Sequence, residues 1–85
     1  MMVMSESVAV WFGDDARPQR LVWAGRRYRV TDMPTPLDFE VPIITHPPLI
    51  PGWRFQGTTD DGESHVFDVL GDTSGQRWRL INVWD

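Results

Sequence analysis

Trp23-Ala24-Gly25-Arg26-Arg27-Tyr28-Arg29-Val30-Thr31 is the stretch that decides the fold class. From Arg27 onward, Tyr28 and Val30 fall on one face and Arg27, Arg29 and Thr31 on the other. Side chains that swap faces at every residue belong to a half-buried β-strand. The Ala24-Gly25 step interrupts two such runs, and Gly25 supplies the positive φ that a tight hairpin needs. A helix over 16–29 would gather Leu21, Ala24 and Tyr28 on one face but would carry Pro18 and Gly25 inside it. Val22, Trp23, Tyr28 and Val30 are strand formers. The stretch predicts a hairpin.

The same alternation returns in Arg77-Trp78-Arg79-Leu80, with Trp78 and Leu80 inward. Asp61-Gly62 marks a second hairpin between the runs 53–59 and 64–70, and residues 71–75 form a polar loop before the last strand. Strands are expected near 6–12, 19–24, 27–32, 53–58, 64–70 and 76–84. The fold class that follows is all-β: a small antiparallel meander of five to six strands, either a partly open barrel or a strongly twisted sheet. Its expected core is Val10, Leu21, Trp23, Tyr28, Val30, Phe67, Trp78, Leu80 and Val83. Residues 1–5 are expected to be disordered.

Residues 33–52 break the pattern with Pro34, Pro36, Pro42, Pro47, Pro48 and Pro51. Proline has no backbone donor and is excluded from central strands. Leu37, Phe39, Val41, Ile43, Ile44, Leu49 and Ile50 nevertheless make the segment too apolar for a solvated linker. The expectation is a proline-rich strap covering one face of the sheet, pairing briefly as an edge strand over 40–45.

The 85 residues make a single domain over 1–85, and a chain this short buries about 60% of its unfolded surface. Five Trp, four Phe and one Tyr supply the packing that the absent cysteines cannot. No signal peptide and no membrane-length apolar run stands out, so a soluble cytoplasmic chain with no membrane contact is expected. All eight basic residues are Arg, and the net charge is −4. That balance disfavours a general nucleic-acid coat.

No constellation of residues points to chemistry. His46 and His65 lack metal-ligand spacing, so neither a metal site nor a cofactor is expected; His65 reads as an outward strand residue. Ser64 and His65 are neighbours on a strand and point to opposite faces, which excludes them as a nucleophile and its base. Asp60, Asp61 and Glu63 lack the ligand pattern of a calcium loop and read as a hairpin tip. Pro48-Leu49-Ile50-Pro51 matches a PxxP docking pattern. Arg27 and Arg29 share an outward face, as do Arg77 and Arg79, so four guanidiniums are candidates for one patch beside Trp11 or Trp53.

Two stretches, 17–30 and 66–85, resemble a family of small uncharacterised bacterial β-rich domains. The resemblance rests on Pro18, Trp23, Gly25, Arg26, Arg27, Tyr28 and Val30, then on Phe67-Asp68-Val69-Leu70, Trp78-Arg79-Leu80 and Val83-Trp84-Asp85. It implies a β fold. Because such domains are often encoded beside Y-family translesion polymerases, it also implies an accessory role in DNA damage tolerance, with no functional residues to transfer.

The functional expectation is a non-catalytic protein-interaction module with an unknown protein partner. Its candidate binding surface is Arg27, Arg29, Arg77, Arg79, Trp53, Pro48 and Pro51. Single-stranded nucleic-acid binding is the alternative, and a small hydrolase-type enzyme the least favoured. Oligomeric state is left open.

Overall fold

A computed structural model describes residues 2–40, 49–72 and 77–84, with the backbone alone for 2–4, 38–40 and 49–50. Seven strands run in order: β1 (Met2–Phe12), β2 (Pro18–Trp23), β3 (Arg26–Val30), β4 (Thr35–Glu40), β5 (Leu49–Thr58), β6 (Ser64–Gly71) and β7 (Trp78–Trp84). All pairings are antiparallel and the sheet order is β3-β2-β1-β7-β6-β5-β4. A further ladder joins β3 to β5, through Arg29↔Thr58 and Val30↔Gly57. Six strands therefore close into a barrel, and β4 lies outside it. Closure pairs the edge that β3 would otherwise present and leaves β4 as the edge strand.

The hairpins follow from local chemistry. Ala24 and Gly25 both take positive φ, at 54° and 74°, which is the two-residue turn that matches strand twist. The β5–β6 loop ends at Gly62, with φ 92°, where Thr59 N–H donates to Glu63 O and Gly62 N–H to Thr59 O. The β1–β2 loop repeats that bonding, from Gly13 N–H to Arg17 O and Ala16 N–H to Gly13 O, but places Ala16 at the positive φ.

Inward residues alternate along the barrel strands. Leu21, Tyr28, Phe55, Phe67, Val69, Trp78, Leu80 and Val83 form the buried core, with Val8, Val10, Phe12, Trp23, Val30 and Trp53 packed around it. Burying each such side chain contributes about 1.5–3 kcal/mol. Gly57 lets two of them approach: a Cβ there would stand 2.9 Å from the Phe67 ring and 3.0 Å from Tyr28 Cβ. The Tyr28 and Phe67 rings consequently meet edge to face, 4.9 Å between centroids.

Three expectations are corrected. Residues 2–5 are strand rather than disordered, because β7 offers them ladder partners: Met2 pairs with Val83 and Val3 with Asn82. The strand count rises to seven, since part of the proline-rich segment is itself sheet: β4 pairs with β5 from Thr35↔Arg54 to Glu40↔Leu49. The described residues 35–40 are thus an edge strand, starting earlier than the expected 40–45. Proline is tolerated because Pro36 sits on the edge strand and Pro51 precedes the first β5–β6 pair, Gly52↔Leu70. Finally, His65 faces inward opposite Gly57, its ring against Trp23, Tyr28 and Phe67. His65 shares the parity of the buried Phe67 and Val69, so the alternation that buries them turns it inward too. Residues 41–48 lie outside the described residues, and with them His46, Pro42, Pro47, Pro48 and most of the expected edge strand.

Candidate functional site

The outer face of β1–β2–β3 is a grid read from register. One row across the strands is Trp11↔Arg20 and Arg20↔Arg29; the next is Ala9↔Val22 and Val22↔Arg27. Neighbouring rows on one face lie two residues apart, roughly 7 Å, and neighbouring strands about 4.8 Å. Trp11, Arg20, Arg27 and Arg29 are exposed. A groove of about 710 Å³ is lined by Trp11, Arg20, Val22 and Arg27 among others, and a second of about 400 Å³ by Arg17, Arg20, Arg29 and Met33 among others. Arg20 is a wall of both. The exposed large apolar side chains among the described residues are Trp11, at 52%, and Met33, at 67%, one on each groove.

The charges on this face are unbalanced. Arg29 Nε stands 3.7 Å from the exposed Asp60 carboxylate, a weak pair. Among the described residues, neither Arg20 nor Arg27 has an ion-pair partner within 4.0 Å. Arg17 lies against Met33, its Nη1 3.0 Å from the sulfur.

Of the arginines expected to form one patch, Arg27 and Arg29 are on this face. Arg79 is exposed on β7, and Arg77 just before it, with β1 and β2 intervening between β7 and β3. Three strand spacings put the two pairs about 14 Å apart. Arg79 is also engaged, its Nε donating to Ser5 Oγ at 2.7 Å and its Nη2 to Ser5 O at 3.0 Å, which pins the start of β1. Trp53 is half-buried against the core rather than beside the arginines. Pro51 is also inward: its Cγ is 3.2 Å from where a Cβ of Gly71 would stand. Arg20 was legible in the same alternation as Arg27, with Leu21 and Trp23 inward on either side of Val22. Met33 carried no signal, because nothing in its neighbours fixes which way it points.

Two polar clusters were not foreseen. At the seam between β3 and the β5–β6 hairpin, Tyr28 Oη donates to Glu63. Arg26 reaches Glu63 at 3.2 Å and both oxygens of Asp61 at 2.7 Å. Thr59 Oγ1 donates to Asp61, and His65 Nε2 lies 3.4 Å from Glu63. Burial, then the bond to Glu63, pushes the Tyr28 hydroxyl up to about 12. The Tyr28 bond, aided by Arg26, holds Glu63 below the usual carboxylate range; bonds from Thr59 and Arg26 do the same for Asp61.

On the opposite outer face, Asp68 is 1% exposed yet fully bonded. Arg54 donates to it from Nε at 2.7 Å and Nη2 at 2.9 Å, Asn82 at 3.0 Å and Trp84 Nε1 at 3.1 Å. Burial alone would raise its pKa, but the donors from Arg54, Asn82 and Trp84 outweigh that and hold it low. The Arg54 guanidinium rests 5.4 Å from the Trp84 ring centre, a cation–π contact. Among the described residues no three His, Asp or Glu side chains converge on a metal position.

The fold and this geometry define a small closed antiparallel β-barrel with an arginine-rich outer face. Comparison with family models, curated proteins and solved structures finds no match to the chain.

Proposed function

We propose that this chain is a non-catalytic protein-interaction module that engages its partner through the outer face of β1–β2–β3. One observation carries the reading: the exposed tryptophan and methionine both lie on grooves walled by the same arginine, Arg20. Tryptophan and arginine are the side chains enriched where binding energy concentrates, and methionine adapts to irregular surfaces. Among the described residues, the Tyr28–Glu63–Arg26 cluster is the arrangement that looks most enzyme-like. Its groups bond to one another across the barrel seam, and neither Glu63 nor His65 lines any of the grooves described above.

Affinity capture with the parent chain and with Trp11→Ala tests this. The variant is expected to keep the parent melting temperature, because Trp11 is exposed, and to lose specific partners. Identical captured sets would overturn the assignment of this face.

A second reading, an accessory single-stranded nucleic-acid binder in DNA damage tolerance, is favoured by the exposed indole beside guanidiniums. Salt-sensitive binding of an oligonucleotide, lost in Trp11→Ala, would support it over the first.

A further inference from the structure

Arg20 and Arg29 are direct cross-strand partners on the exposed face, and Arg27 lies two residues from Arg29 on that same face. Like charges directly opposite each other destabilise a sheet. Close to these three guanidiniums stands the Asp60 carboxylate, near Arg29. Asp15 and Asp32 line the second groove, where Asp15 also accepts the Arg17 N–H at 3.0 Å and Asp32 the Gln56 N–H at 2.8 Å; among the described residues, the first groove has no acidic residue on its wall. Arg29 is thus weakly paired, while among the described residues Arg20 and Arg27 have no ion-pair partner within 4.0 Å. A local rule broken without internal compensation marks a place shaped by binding.

We infer that the partner of this face is an acidic, extended peptide segment, with carboxylates bridging Arg20 and Arg29 and an apolar side chain set against Trp11. The inference rests on reading the face as protein-binding. Guanidiniums hold carboxylates in two-pronged bonds, so the row Trp11–Arg20–Arg29 offers one apolar and two anionic contacts within about 10 Å. A carboxylate set between Arg20 and Arg29 stands about 7 Å from Trp11, the separation of alternate side chains on an extended strand. A nucleic-acid strand fits less well. It calls for a run of stacking rings, and Trp11 is the single exposed aromatic among the described residues. The net charge of −4 also repels a dense polyphosphate.

The test is fluorescence anisotropy of the full chain at low salt with three labelled probes: a peptide alternating Glu and Leu, the same peptide with Gln for Glu, and a deoxythymidine oligomer. The Glu–Leu peptide is expected to bind best, and to weaken as salt rises. Arg20→Gln with Arg29→Gln should weaken it about tenfold or more, while Arg79→Gln leaves it unchanged. The double variant should also melt at or above the parent temperature, because it removes a repulsion; a merely structural arginine pair would lower it. Equal binding of the Glu and Gln peptides, or none, overturns the acidic partner and leaves the face itself to be judged by the Trp11→Ala capture. Preference for the oligonucleotide overturns both.

Discussion

The Tyr28 hydroxyl donates to the Glu63 carboxylate across the line where β3 and β5 close the barrel. Only two residue pairs form the ladder there. Arg26, also from β3, grips Glu63 and Asp61 beside it, so side chains do at this seam what backbone bonds do elsewhere.

Removing the hydroxyl isolates that contribution. Tyr28→Phe should cost about 1 kcal/mol at neutral pH, the usual net worth of one hydrogen bond. The sign with pH is opposite to that of a carboxylate held low, because the folded value of Tyr28 is raised. The folded hydroxyl sits near 12, against about 10 when unfolded, so its contribution is complete below about 10 and lost as pH climbs toward 12. Melting curves across that range should converge for the parent and Tyr28→Phe; a constant gap would mean that the hydroxyl does not titrate with folding.

Acid acts on the other cluster. Asp68 is held low when folded, so the unfolded chain takes up its proton first as pH falls. Its stabilisation is complete above about pH 4 and drains away as pH drops through the folded value. Asp68→Asn should cost about 2–3 kcal/mol at pH 7, typical of bonds to a charged group, and less below pH 3. Urea titrations of both proteins at the two pH values measure this. Equal losses would contradict an ionised Asp68.

Gly57→Ala pits backbone entropy against packing. In an extended strand alanine would ordinarily stabilise, but its Cβ meets the Phe67 ring at 2.9 Å. Overpacking of this kind costs about 1–3 kcal/mol. Thermal denaturation should show a clear fall, and a rise would mean the ring has room to yield.

Ala16 offers the reverse case. It occupies, with φ 61°, the loop position that Gly62 fills in the matching hairpin. Ala16→Gly should stabilise by about 0.5–1 kcal/mol, or a few degrees. The control is Ala9→Gly on the exposed face of β1, which should melt lower. If both variants melt lower, the loop carries no strain.

The strands were legible because alternation is a local property. Tyr28 and Val30 against Arg27 and Arg29, or Trp78 and Leu80 against Arg79, announce a face without any knowledge of neighbours. Gly25 and Gly62 marked their turns for the same reason. The first hairpin was harder, since Asp14-Asp15-Ala16 has no glycine where the backbone demands one. Strand neighbours are not local, which is why Arg77 and Arg79 looked available to Arg27 and Arg29 until β1 and β2 came between them. Parity, followed through, places His65 inward as well: it lies two residues before Phe67 on the same strand, and reading it as a polar outward residue set its chemistry above its position. Asp68 was invisible as a buried acid, because its three donors come from positions 14 to 16 residues away. Of the candidate face, Arg27 and Arg29 could be read in advance; their pairing with Arg20 required the register of β2 and β3.

From Arg29 to Glu40 the chain stays against one edge of β5, first as β3 and then as β4, with Thr31 N–H donating to Gln56 O between them. β4 and the residues of β5 ahead of Gly52 therefore extend past the barrel, whereas residues 52–58, with Phe55 in the core, pair with β6 and belong to it. A change of length ahead of Gly52 would leave the barrel's ladders intact, whereas one beside Val30 would reach Arg29 and Met33 on the arginine face.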